Sequence, residues 1–341
     1  LEPFTHALTS AVLARTSGRF RVRFGTAMLI ASGVAPDLDY TSYFGGAAAF
    51  LRFHRTLLHS LPGAAVLACA IAGSFCVLDR KRRRKTPEAK PVASLTFAAA
   101  FGICAAGAGG HILLDLASGE GMQLLWPFRV HWTAWSLLAN FDPLLLALLA
   151  AGLLIPALFR LVNEEVGARR NGGAGAAAFT LLLIAAYVGT RAELHGRAVG
   201  LLLSREYGGR EPLAAGAFPS ATRPLEWRGV VATDNTMEEL TVSLGRGTDF
   251  NPDRSLTRYK PEGSPALDAG ERTASAQRFL KYAEFPLASV SQREDGYRFE
   301  LRDARFPEGD TSPANIVVRV DLDAGFNILR EDCRYASSHE P

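Results

Sequence analysis

Three stretches of this chain, Leu61 to Leu78, Val92 to Leu116 and Pro143 to Val162, are long enough, or nearly so, to cross a bilayer core. That core is about 30 Å thick and takes roughly 20 helical residues to span. Runs this apolar constrain the chain more than any other feature. In lipid each must satisfy its own backbone hydrogen bonds, which selects helices. Ala174 to Gly189 forms a shorter fourth run. Two more, Phe4 to Ala14 and Phe24 to Ala35, are too short to span upright and are predicted to be tilted, half-inserted or packed inside the bundle.

The character of the sequence changes near residue 190. Residues 1 to 190 are rich in Ala, Leu, Gly and Phe with charges in clusters, whereas 191 to 341 carry Arg, Asp, Glu, Pro and Ser throughout. The second part reads as β-rich. "EWRGVVATD", "EELTVSLG", "YRFELRDARF" and "NIVVRVDLDAGFNILRE" alternate in part, and "DAG" at 323 to 325 marks a turn. "NPDRSLTRYKPEGSPALDAGE" reads as loop, and Ala274 to Ala283 as one helix. The expected architecture is an α-helical polytopic membrane domain, residues 1–190, followed by a small β-rich extracytoplasmic domain, residues 191–341.

Charge sets the orientation. "ARTSGRFRVRF" carries Arg15, Arg19, Arg21 and Arg23, "DRKRRRKTPEAK" carries seven Lys or Arg, and "FRLVNEEVGARRNGG" carries three. The alternate loops hold only Arg52, Arg55 and Arg129. The positive-inside rule therefore places the basic loops in the cytoplasm, and residues 1–6, 36–60, 111–142 and 191–341 outside. The net charge of +3 is small and bunched in loops, so no direct nucleic-acid binding is expected. Cys69, Cys76, Cys104 and Cys333 do not form a disulfide framework, since three lie in apolar runs. The opening "LEPFTHALTSAVLA" lacks the basic start and cleavage site of a secretory signal.

Against that topology the ionisable residues gather at one level. His6, Asp37, Asp39, His54, His59, His111, Asp115, His131 and Asp142 all fall at or near the predicted outer ends of apolar segments. Ionisable groups at membrane depth are costly and point to function. His111 and Asp115 stand at i and i+4, on one helix face, a spacing that suits a shared metal. Imidazole nitrogen and carboxylate oxygen both bind zinc at about 2 Å. The Gly109-Gly110 pair before them is expected to admit a neighbouring helix. Asp37 and Asp39 follow Pro36, where the apolar segment must end or kink, and two such carboxylates can bridge metals. His54 and His59 share a site only if His54 sits in the loop or the first turn, and Arg55 is then a contact for an anionic oxygen. A hydrogen-bonded helix clamp is the alternative reading of His111 and Asp115, and turn capping that of Asp37 or Asp39. His131, flanked by Trp132 and Trp135, fits an interfacial aromatic belt and is left out of the metal set. His195 and His339 receive no role.

Taken together, "EPFTHALTS", "APDLD", "HRTLLHS", "GHILLDLASGEGMQLLWPF" and "NFDP" resemble, in order and over about residues 1–145, the YdjM-type family of LexA-binding, inner-membrane-associated metal-dependent hydrolases. The resemblance maps the family's Thr-His onto Thr5-His6 and its Pro-Asp-x-Asp onto Pro36 to Asp39. Its His-Arg-x-x-x-His-Ser falls on His54 to Ser60, its His-x-x-x-Asp on His111 and Asp115, and its Asp-Pro on Asp142-Pro143. Where the family often has Gly and Thr, this chain has Thr56 and Leu58, and "DLASGEG" replaces "DxxTxxG" or "DxxNxYG". A more distant similarity links the family to zinc-dependent phospholipases C. The tail, with "PLEWRGVVATD" and "VVRVDLDAG", is similar to the extension of longer family members.

The leading expectation is a multi-pass hydrolase of the bacterial inner membrane, cutting an ester or phosphoester at the outer membrane–water boundary. Membrane lipids are the expected surroundings and a lipid phosphoester the favoured substrate. Its ligands would be His6, Asp37, His54, His59, His111 and Asp115, holding zinc as two ions, with manganese as the alternative. Asp39 would be a bridging ligand or a base, and Arg55 would meet transition-state charge. The competing expectation is a non-catalytic scaffold that presents its β domain to a protein partner. A DNA-repressor partner would have to reach the basic cytoplasmic loops. A transporter is disfavoured because the carboxylates lie at one face and not mid-span.

Overall fold

The computed structural model describes residues 1–16, 20, 22–85, 94–165, 173–245 and 250–336. Arg19, Arg21, the end of the second basic loop, Arg169 and Arg170 of the third, and His339 lie outside the described residues. The helices are α1 (Pro3–Thr16), α2 (Gly25–Val34), α3 (Ala47–Phe53), α4 (Leu61–Lys85), α5 (Phe97–Ala117), α6 (Pro143–Glu165), α7 (Ala174–Leu203), α8 (Pro265–Glu271) and α9 (Ala274–Tyr282). A 3-10 segment, Ala35–Gly45, follows α2. The chain divides into two compact units, one of Leu1–Asp39 with Arg55–Arg191 and one of Tyr40–His54 with Ala192–Pro341.

Four helices are long and apolar enough to cross a membrane: Leu61–Arg84, Phe97–Ala117, Pro143–Leu161 and Ala174–Leu203. Several of their limits differ from the hydropathy reading, and the first helix runs on past Leu78 to Arg84. The helix expected from Val92 starts at Phe97, because the Thr96 hydroxyl accepts from the Ala99 amide at 3.3 Å and caps it. The fourth run continues past Gly189 to Leu203. Its charged residues end the apolar count but not the helix, and Ala198 and Leu202 are buried in the core of the second unit with Trp227 and Val231. At about 1.5 Å per residue, α1 and α2 are far shorter than a bilayer core, and both pack inside the first unit.

Glycine sets the contact between α2 and α5. A Cβ at Gly107 would stand 2.6 Å from the Leu29 carbonyl oxygen and closer still to Ser32 Oγ, and one at Gly33 would overlap Ser10 Oγ. Gly109 and Gly110 were the glycines expected to admit a neighbour, yet a Cβ on either meets open space. The reason is helical phase. Gly107 precedes His111 by four residues and shares its face, whereas Gly110 and Gly109 are turned about 100° and 200° away. Around this contact Met28, Leu29, Ala68, Ala72, Ala100, Ile103 and Cys104 form a buried core.

The second unit holds two antiparallel four-stranded sheets. The first is ordered β1 (Ala214–Pro219), β2 (Glu226–Ala232), β3 (Thr236–Ser243), β4 (Leu256–Tyr259), and the second β5 (Pro286–Arg293), β6 (Gly296–Asp303), β7 (Ile316–Asp323), β8 (Ile328–Tyr335). The stretch read as loop contains both β4 and α8. Ser264 caps α8 by accepting from the Leu267 amide, with Pro265 at the first helical position. The turn marked by "DAG" is built by the Asp323 carboxylate, which accepts from the Gly325 and Asn327 amides, both at 2.8 Å. All four cysteines are free thiols.

Candidate metal centre

The polar residues come from α1, which holds His6, from the 3-10 segment, which holds Asp37, and from the ends of the longer helices of the first unit. α4 begins at Leu61, two residues after His59, α5 ends at Ala117 just past His111 and Asp115, and α6 begins at Pro143 after Asp142. Spans that alternate in direction through a membrane would bring these ends to one side.

Here His6, Asp37, His111 and Asp115 come together, each offering a ligand atom within 4.8 Å of the others. His6 Nε2 lies 3.2 Å from Asp115 Oδ1, and its ring stacks on His111 with centroids 3.8 Å apart. His111 Nε2 lies 3.3 Å from Asp115 Oδ2 and 3.8 Å from Asp37 Oδ1. His59 adjoins the four, with Nε2 3.2 Å from Asp115 Oδ2 and 3.7 Å from Asp37 Oδ1. His6, His59, His111 and Asp115 are all buried.

Two second partners aim the rings. His111 Nδ1 is 2.8 Å from the Gly33 carbonyl oxygen. A carbonyl only accepts, so Nδ1 carries the proton and Nε2 turns a lone pair to the cluster. Close packing of α2 on α5 at Gly107 holds that carbonyl in place. His59 Nδ1 in turn is 2.8 Å from Asp39 Oδ2, which also accepts from the Arg55 amide at 2.9 Å. Asp39 thus faces the back of His59, a position that orients the ring.

The residues fit a metal ion. Among the described residues His111 Nε2, Asp115 Oδ2 and Asp37 Oδ2 are buried atoms that no hydrogen bond satisfies. Leaving such atoms unpaired costs free energy, and a cation held between His111 Nε2 and Asp115 Oδ2, which lie 3.3 Å apart, would satisfy both. Burial is the main influence on His6, outweighing the Asp115 carboxylate and pushing its pKa down to about 4, which keeps the ring neutral and able to ligate. Burial works the same way on His59, but there Asp115, Asp37 and Asp39 outweigh it and push the pKa up to about 10.

Arg55 closes the cluster on the Asp115 side. Its backbone is left-handed, with φ 54°, and its side chain is buried. The guanidinium reaches Ser118 Oγ at 2.9 Å, Glu120 Oε2 at 3.1 Å and Asp115 Oδ1 at 3.4 Å. Burial favours the neutral form, yet Asp115, Glu120, Asp37 and Asp39 overcome it and hold Arg55 firmly charged.

His54 belongs to the second unit, where its ring stacks on Phe50 at 4.2 Å and meets Tyr40 edge-on at 5.3 Å. It is not one of the four grouped ligand residues. The left-handed turn at Arg55 separates it from His59. Asp142 caps α6, accepting from the Leu144 and Leu145 amides and from Tyr187 Oη at 2.8 Å. His131 is exposed. Sequence reasoning missed Gly33, which acts through its carbonyl and so leaves no side-chain signal. It also missed Glu120 and Ser118. Ser118 occupies the Thr position of "DxxTxxG" and keeps a hydroxyl there, so the polar contact survives the departure from that pattern.

No curated protein and no solved structure matches this chain. The model of the family described as YdjM inner membrane protein matches residues 1–197, more than half of the 341 and a span that takes in every residue of the cluster. With four helices apolar enough to cross a membrane and this match over more than half of the chain, the chain belongs to the YdjM inner membrane protein family.

Proposed function

We propose that this inner membrane protein is a metal-dependent hydrolase that cuts an ester or phosphoester, a lipid phosphoester by preference, at the outer membrane–water boundary. The observation that carries the proposal is the convergence of His6, Asp37, His111 and Asp115, each offering a ligand atom within 4.8 Å of the others, with His111 Nε2 and Asp115 Oδ2 buried, unsatisfied and 3.3 Å apart. These four, with His59 beside them, would hold zinc or manganese. A bound ion of this kind supplies Lewis acidity toward water and toward the oxygens of an ester. The Gly33 carbonyl fixes the tautomer of His111, and Asp39 orients the ring of His59. Arg55, held by Ser118 and Glu120, orients Asp115 and offers positive charge to an anionic oxygen.

Purified protein in mixed micelles is expected to hydrolyse a p-nitrophenyl ester, a p-nitrophenyl phosphodiester or a phospholipid. Chelation should abolish the activity and added zinc or manganese restore it. A metal-loaded, folded protein inert toward all three classes would remove the hydrolase reading. What would then remain is a buried ion-pair clamp, supported by the way Asp115 Oδ1 already meets His6 and Arg55.

The same proposal places residues 36–60 and the second unit outside the cytoplasm, supported by the basic ends of the predicted loops. In a cysteine-free background, Phe44→Cys, at a position 89% exposed, is expected to react with a membrane-impermeant maleimide in intact spheroplasts. Labelling only after lysis would reverse the orientation.

A further inference from the structure

The second sheet carries a charged cleft that the metal cluster does not use. Strands β6 and β7 send alternate side chains to opposite faces. Phe299, Leu301, Val318 and Val320 are buried on one face, with Phe299 packed so tightly on α8 that a Cβ at Gly270 would overlap it. The other face presents Glu300 and Arg302 from β6, Arg319 opposite Glu300, and Arg334 opposite Val317. Arg258 and Tyr259 of β4 complete a cleft of about 710 Å³, within the roughly 300–1,000 Å³ of small-ligand sites. Four arginines line it against two glutamates, Glu300 and Glu308.

The two glutamates are placed differently. Glu300 lies on the sheet, 2.7 Å from Arg319 Nε. Glu308 comes from the segment after β6, its side chain 67% exposed, and one oxygen, Oε1, sits 2.8 Å from Arg258 Nη2 and 3.0 Å from Arg302 Nη1. The arginines themselves are mostly covered. A loose carboxylate therefore occupies a fixed pair of guanidiniums. Burial tends to raise the Glu308 pKa, but Arg258 and Arg302 outweigh it and hold the group below the usual carboxylate range.

We propose that this cleft binds a small carboxylate ligand, whose carboxylate replaces that of Glu308 between Arg258 and Arg302 and whose remaining bulk lies along the exposed ring of Tyr259. Paired guanidiniums suit a planar carboxylate. An exposed ion pair is weak enough for a ligand to displace it. Glu308 then acts as a built-in competitor, so removing its charge strengthens binding, the opposite of what its removal would do to a purely structural bridge.

The test is calorimetric titration of the full-length, detergent-purified protein with succinate and with benzoate at fixed ionic strength, with inorganic phosphate as the comparison anion. Glu308→Gln is expected to tighten carboxylate binding about threefold, and Arg302→Gln to weaken it at least about tenfold. Thermal unfolding checks that both variants remain folded, and Glu308→Gln keeps the cleft testable if Arg302→Gln does not. Lack of binding to wild type and Glu308→Gln up to about 10 mM, or a Glu308→Gln variant that binds more weakly than wild type, overturns the proposal. So does phosphate binding more tightly than either carboxylate.

Discussion

Protein purified in detergent and reconstituted with zinc or manganese is expected to retain at least one equivalent of metal by plasma mass spectrometry, and the paired variant His111→Ala with Asp115→Ala to lose it. The loss should be at least about a hundredfold in affinity, since altering only the partners that orient metal ligands already costs 10–100-fold. The pair is chosen because Asp115 touches all three histidines of the site: His6 at 3.2 Å, His59 at 3.2 Å and His111 at 3.3 Å. Arg55 keeps Ser118 and Glu120 in the variant, so its charge is not stranded. Circular dichroism and size exclusion report whether the helices persist. Undiminished metal in a folded double variant would show that the ion sits elsewhere. Wild type that holds no metal after reconstitution would leave the clamp as the role of the cluster.

The second large effect is expected from a methyl group placed where no side chain ligates anything. Gly107→Ala puts a Cβ against the Leu29 carbonyl and Ser32 Oγ. That hydroxyl is already bonded to the Met28 carbonyl at 2.8 Å and cannot turn away at no cost. Overpacking of this kind costs about 1–3 kcal/mol, read as a lower midpoint in thermal or denaturant unfolding. It must also push α2 from α5, moving the Gly33 carbonyl off His111 Nδ1, so metal affinity should fall as well, by about 10–100-fold. Gly109→Ala and Gly110→Ala are the controls, since each Cβ would enter open space. Equal effects at all three glycines would mean that helix propensity, and not the α2–α5 contact, governs the result.

The strands show what periodicity can and cannot reveal. The segments with visible alternation fell mainly on β2, β3, β6 and β7, the inner strands of the two sheets. β1, β4, β5 and β8 are edges, and of these only the start of β8 lay within a segment read as strand. β5 in particular has a mostly exposed second half, so its sequence has little apolar pattern to display. The candidate site divides in a similar way. His111 and Asp115 were legible because four residues on one helix place two side chains together whatever surrounds them. His54 and His59 were not separable in "HRTLLHS", because what marks His59 is its approach to Asp37, Asp39 and Asp115, residues distant along the chain.

The sequence by itself determined that there are apolar helices fit for a membrane, that a strand-rich part follows them, and which His and Asp residues stand near the helix ends. These follow from length, hydropathy and local spacing, which depend only on neighbours along the chain. Tertiary structure alone decided that Asp37 joins the ligand group while Asp39 backs His59, that a glycine carbonyl fixes the tautomer of His111, and that Gly107 and not Gly109 or Gly110 admits the second helix. Each of those rests on atoms brought together from distant parts of the chain, where ångström-scale packing, and not residue type, selects the partner.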